Sequence, residues 1–288
     1  MKYHFILFTL FFTSSIYSAP VDSLLNSALV SIEKEYRFED KSKIPISDLG
    51  TLFLNNNFKF LNSEKTNDFV KNYWGVLNEE PNYLGLIMQK NKSIFDTSAL
   101  LFTISFFPEL IINTDNYDIL KERELLEQLI LSTDSNSSKK ISEGIEQVKV
   151  TSWAIAPRYS KEHNCLYWAE EIVTGINISS KQISAHLRYI GNDGVMAFDC
   201  VSSATSLEFL KSEIQQLNSF FKFHPNRKYT SAANSIEKSK SIEYLILGDT
   251  LEVSKAGAFI FKFWKAIFFI IGICGVILFF QFKPSKTK

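Results

Sequence analysis

Disulfide frameworks, zinc sites and nucleotide loops all need residues that this 288-residue chain holds in short supply. There are three cysteines. One of them, Cys274, falls in a long apolar stretch near the C-terminus, so only Cys165 and Cys200 are candidates for a bridge. Export would permit that bridge, but it requires Cα atoms about 4.4–6.8 Å apart, and two separate buried thiols are the plainer reading. Of the four histidines, one is His4 in the first apolar segment, and none is paired at helical spacing, so no metal or cofactor is expected. The 11 glycines form no phosphate-cradling loop. No unit of about 20–50 residues recurs, which excludes a solenoid or propeller.

A charge of one sign is also missing, since 31 basic residues balance 31 acidic ones. The balance conceals an asymmetry. Lys2, Lys262, Lys265, Lys283, Lys286 and Lys288 lie in or beside the two apolar ends, whereas every acidic residue lies between them. The body therefore carries 25 basic against 31 acidic side chains, about −6. Nucleic-acid affinity comes from clustered Lys and Arg, and the sequence has no such stripe. No nucleic-acid partner is expected.

What the sequence does have is two apolar ends. Met1 to His4 carries one firm positive charge, Phe5 to Phe12 is nearly unbroken apolar sequence, and Thr13-Ser14-Ser15 follows. This is the grammar of a signal peptide, residues 1–18, too short to span a bilayer. Ala256 to Phe282 is apolar except for Lys262, Lys265 and Gln281. It reads as a transmembrane helix over 257–282, with Trp264 at the interface and a basic cytoplasmic tail at 283–288. Together these predict a single-pass protein of the cytoplasmic (inner) membrane with its body, 19–256, extracytoplasmic and a lipid bilayer as its first partner.

The body alternates extended and helical patterns, which predicts an α+β fold in one domain. Ile44–Leu54 and Phe58–Leu61 read as strands parted by Asn55-Asn56-Asn57, and Asn62 or Ser63 is placed to cap a helix through Tyr73. Tyr83–Met88 and Ala99–Phe107 are further strand candidates. Ile119, Leu126, Leu129 and Ile130 mark an amphipathic helix from Asp115 to about Leu131, followed by an expected exposed loop over Thr133–Ser142. Val148–Ile155 reads as a strand stopped by Pro157. Asn164 is placed to cap a helix whose inner face is Leu166, Ala169 and Val173. Gln182–Ile190 and Val195–Val201 flank Gly191-Asn192-Asp193-Gly194, the clearest hairpin signal. Thr205-Ser206-Leu207-Glu208 has capping-box form ahead of Leu207, Leu210, Ile214, Leu217 and Phe221. A last amphipathic stretch covers about Tyr229 to Leu247.

Trp153-Ala154-Ile155-Ala156-Pro157-Arg158-Tyr159 and Leu166-Tyr167-Trp168-Ala169-Glu170-Glu171 resemble the central motif of the domain of unknown function 2167 (DUF2167) family, roughly Gly-Trp-x-x-x-Pro-x-Tyr, then Leu-x-Trp-Ala. Tyr73-Trp74-Gly75, Leu84-Gly85-Leu86, the 189–195 hairpin, Phe220-Phe221 and Arg227-Lys228-Tyr229 follow the same order. Ser152 stands where the family tends to have glycine, and the acidic run after the central strand is reduced to Asp115 and Asp118. The resemblance implies a membrane-anchored bacterial protein with no established activity, and it brings no catalytic residues with it.

Chemistry-bearing residues gather around that motif: Arg158, Glu162, His163, Cys165, Glu170 and Glu171. A thiol nucleophile with its base is one reading, but such pairs are normally built from distant segments. The plainer reading is a helix-capping turn with His163 solvated and Cys165 buried. Ser137-Ser138-Lys139-Lys140 and Ser235-Ile236-Glu237-Lys238 match Ser-x-x-Lys without a partner motif. Trp153, Arg158, Tyr159, His163, Trp168 and Glu170 are the candidate ligand-binding residues. The chain is accordingly expected to be a binding or scaffold module of the cell envelope with an envelope protein partner. The alternative is a tethered hydrolase or transferase using Arg158–Glu171.

Overall fold

The computed structural model describes residues 27, 29–74, 82–115, 117, 121–141, 148–174, 181–230 and 239–248. Both apolar ends, the proposed signal at 1–18 and span at 257–282, lie outside them. Among the described residues no helix is long and apolar enough to cross a membrane.

An antiparallel sheet of seven strands organises the molecule, in the order β3-β4-β5-β10-β9-β8-β7. Its members are β3 (Phe58–Asn62), β4 (Gly85–Gln89), β5 (Leu101–Pro108), β7 (Val148–Ser160), β8 (Cys165–Thr174), β9 (Lys181–Ile190) and β10 (Gly194–Ser203). A three-stranded sheet of β1 (Lys43–Ile46), β2 (Gly50–Phe53) and β11 (Phe221–Phe223) and helix α3 (Leu207–Leu217) pack on one face. There Leu52, Leu210 and Leu217 meet Tyr167, Leu187 and Phe198, and each such buried side chain contributes about 1.5–3 kcal/mol. The other face carries α1 (Ser63–Tyr73), which seats Phe69 and Val70 on Leu61, Leu86 and Met88. It also carries α2 (Glu122–Ile141) and α4 (Glu243–Leu247), whose Leu125, Leu245 and Ile246 pack with Leu166 and Trp168. β6 (Ile112–Asn113) and β12 (Lys240–Ser241) form a short parallel pair beside them.

Several expectations match. Asn62 caps α1, its side chain accepting from Lys65 N at 3.0 Å. The β9–β10 hairpin turns at Gly191–Gly194, where a Cβ on Gly194 would lie 2.5 Å from Phe107 O. The Asn55–Asn57 turn is held by Glu213 of α3, which accepts from both amides at 2.7 Å.

Others are corrected. The stretch 44–54 is a hairpin, not one strand, turning at Ser47 with φ 49°. α2 runs through Ile141, so the expected loop at 133–142 is largely helix; Ile119 lies outside the described residues. Pro157 does not end β7, because β7 is an edge strand and its pairing skips from Ile155 to Arg158, leaving Pro157 no ladder bond to make. The helix expected after Asn164 is the strand β8; Asn164, at φ 48°, occupies the turn between β7 and β8. The capping box at 205–208 does not form: a 3-10 turn at Ala204–Ser206 precedes α3, Ser203 caps it, and Phe221 has passed into β11. Of the stretch from Tyr229 to Leu247, residues 231–238 lie outside the described residues, and the helix is only Glu243–Leu247.

Candidate functional site

Cross-strand register puts Trp168, His186, Asp199, Thr103, Leu86 and Leu61 in one row on the face that carries α1 and α2. At the centre of this row the sheet is polar. Ser184, His186 and Arg188 alternate with Ala185, Leu187 and Tyr189 along β9, so the first three point to this face and the others to the main core.

His186 is the hub. Its Nδ1 lies 2.6 Å from Asp199 Oδ1, and its Nε2 lies 3.0 Å from Glu170 Oε2 and 2.9 Å from Ser184 Oγ. Arg188 places Nη2 2.8 Å from the same Asp199 Oδ1. Trp168 donates Nε1–H to Glu170 Oε1 at 2.7 Å and stacks on the imidazole, ring centroids 4.8 Å apart, while the Arg188 guanidinium lies 5.3 Å from the centre of the indole ring. Two carboxylates thus face two cations, and the cluster is neutral. Burial alone would depress the His186 pKa; the Glu170 charge and the hydrogen bonds to Asp199 and Glu170 raise it to about 9. Burial would raise the Asp199 pKa, but the Arg188 charge and the His186 bond hold it at about 2.

Ser184, His186 and Asp199 lie in the order of a nucleophile, base and orienting acid. Two features prevent that use. Glu170 occupies the Nε2 side and keeps the ring an imidazolium, which cannot accept the serine proton. Ser184 and His186 are each 2% exposed, leaving no room beside Oγ for a substrate carbonyl. The arrangement is a closed charge network inside a sheet.

Of the residues singled out from the sequence, only Trp168 and Glu170 belong to this network. Trp153 donates Nε1–H to Glu122 O at 3.0 Å, and Arg158 pairs with the Glu122 carboxylate, so both moor the first turn of α2 to β7. Tyr159 donates to Asn164 Oδ1 at 3.1 Å and packs on Tyr117; burial pushes its pKa up to about 12. His163 stands in the β7–β8 turn, 3.9 Å from Glu162. Cys165 lies on the opposite face from Trp168. The set does not converge on one point. Ser235–Lys238 lies outside the described residues.

Cys165 and Cys200 are free thiols. They pair across β9 with Tyr189 and Ala185, which are four residues apart, about 13 Å along a strand, so no bridge joins them. Burial pushes both thiols up, Cys200 to about 12. Among the described residues no set of three or more His, Cys, Asp or Glu side chains is placed to hold a metal.

His186, Arg188, Ser184 and Asp199 were not visible from sequence as a site. Their one signal was the polar alternation at 184, 186 and 188, which reads equally well as a solvated strand face.

A family model described as a protein of unknown function (DUF2167) matches residues 38–277. No curated protein matches the chain. Among solved structures, the solution structure of cyanobacterial PsbP (CyanoP) from Synechocystis sp. PCC 6803 is similar at 10% identity, with a TM-score of 0.35, covering 62% of this chain and 89% of that one.

Proposed function

This chain belongs to the DUF2167 family, proteins of unknown function, and from that premise we propose that it is a binding or scaffold module of the cell envelope rather than an enzyme. In this reading residues 1–18 direct export, 257–282 span the cytoplasmic membrane, the body is extracytoplasmic and the tail 283–288 is cytoplasmic. The signal-like N-terminus and the apolar, Lys-flanked C-terminus support that topology. One observation carries the choice of module over enzyme. The side chains best suited to acid–base chemistry, Glu170, His186 and Asp199, are locked into mutual ion pairs inside the sheet, while Arg158, His163 and Cys165 point to three different places. The tethered hydrolase or transferase would need them in one pocket.

Mild crosslinking in the native membrane tests the reading: a discrete envelope protein is expected to co-purify with the full chain. Repeated recovery of the chain alone, together with turnover of an envelope substrate by the purified body, reverses the assignment. Reporters fused after Leu247 and after Lys288 are expected on opposite sides of the membrane; finding both on one side overturns the topology.

A further inference from the structure

β3 forms one edge of the seven-stranded sheet, and beside it a cavity of about 440 Å³ opens between Lys59, Lys90 and the helical residues 29–35. Small-molecule sites have volumes of this order. Three lysines line it, Lys34, Lys59 and Lys90, against two acidic residues, Glu33 and Asp40. Both carboxylates are already engaged. Asp40 pairs with Lys90 at 2.5 Å. Glu33 accepts from Ser93 Oγ at 2.6 Å through one oxygen and holds the other 3.7 Å from Lys59 Nζ, longer than a normal hydrogen bond.

Lys59 is therefore the under-coordinated member. Its stem lies on the sheet face beside Met88, and its ammonium sits 4.4 Å from the centre of the Phe38 ring. A cation–π contact satisfies charge but takes up no N–H donor directionally, and a desolvated ammonium gains most from an anion that accepts those donors. Burial lowers the Lys59 pKa, an effect that Glu33 and Asp40 only partly offset. With three lysines against two carboxylates, the wall presents a surplus of positive charge next to an aromatic surface.

We propose that this cavity binds a small organic anion with an apolar body, such as an aryl carboxylate or sulfonate, its charged head on Lys59 and its body against Phe38. Lys34 supplies a further positive charge, and the Lys90–Asp40 pair closes the wall. The site stands apart from the His186 network and does not depend on the membrane topology.

Pulse acetylation of the full-length protein, read lysine by lysine with mass spectrometry, tests this with naphthalene-2-sulfonate as the probe. At a probe concentration about ten times its Kd, Lys59 is expected to acetylate about tenfold more slowly, as occupancy requires, with exposed Lys211 unchanged. The uncharged analogue 2-naphthol is expected to protect far less. Lys90→Met, which removes an ammonium and leaves Asp40 unpaired at the site, is expected to raise the half-protecting concentration by about tenfold. Equal acetylation of Lys59 with and without the sulfonate overturns the proposal. So does equal protection by 2-naphthol, or a Lys59 that the reagent cannot reach at all. The wild-type readout does not depend on any variant folding.

Discussion

Asp199 and His186 stand directly opposite each other on β10 and β9, and the carboxylate Oδ1 accepts from the imidazole Nδ1–H at 2.6 Å. Because Asp199 also pairs with Arg188 and His186 also faces Glu170, neither charge can be removed without exposing its neighbours to an uncompensated one.

Stability should therefore depend on pH on both sides of a plateau. His186 titrates at about 9 when folded against an ordinary 6.5, so its contribution is complete below about 6.5 and is lost as pH rises through about 9. Asp199 titrates at about 2 against 3.8, so its contribution is complete above about 4 and is lost as pH falls through about 2. The larger shift corresponds to about 3 kcal/mol. Urea midpoints measured from pH 3 to 10 should be highest near pH 5 to 6; a midpoint that rises steadily from pH 6 to 9 contradicts the imidazolium.

His186→Leu should destabilise the protein by about 3–5 kcal/mol, since it leaves the buried Glu170 without its cation and Asp199 with Arg188 alone. Arg158→Ala, by contrast, removes an exposed pair with Glu122 and a bond to the Pro157 carbonyl and should cost at most about 1 kcal/mol. Chemical denaturation of the two variants side by side decides whether the network or the β7 surface carries the energy. Equal costs would mean that the network has been misjudged.

Asn164 adopts φ 48° in the β7–β8 turn. Asn164→Val should cost about 1–3 kcal/mol from backbone strain, while Asn164→Gly, which lacks the strain but also loses the bond from Tyr159, should stay within about 1 kcal/mol of the parent. Thermal melts of the two variants read this, and equal costs for valine and glycine would contradict the left-handed backbone at Asn164.

Cys165 and Cys200 should resist maleimide in the folded protein and react together once it is unfolded, because burial keeps both thiols protonated and covered. Gel-shift labelling of a Cys274→Ser variant across a urea series reads this directly. Fast labelling of either thiol without denaturant, or a disulfide-shifted band after mild oxidation of the folded protein, would contradict the assigned strand positions.

Elements whose local chemistry and burial agree were legible in the sequence. Asn62 ahead of α1 and the Gly-Asn-Asp-Gly turn between β9 and β10 are such cases. β8 was not. Leu166, Ala169 and Val173 fit helical spacing, and because β8 is covered on both faces it lacks the apolar–polar alternation that would have marked it as a strand. Pro157 misled for a related reason: a proline ends a central strand, but the sequence does not say which strand will be an edge. The charge network was hidden because its members come from β8, β9 and β10, and only the folded register brings Glu170, His186 and Asp199 together.

That same network limits how the central strands can be misassembled. A sheet covered on both faces by aliphatic side chains tolerates a two-residue slip, since inward and outward positions are preserved. Here such a slip of β9 against β10 puts either Ser184 opposite Asp199, removing His186 from that carboxylate, or His186 opposite Val201, stranding an imidazolium beside an aliphatic chain. The buried charges act as an alignment key, making the native pairing the one in which every ion in the middle of the sheet finds its counterpart.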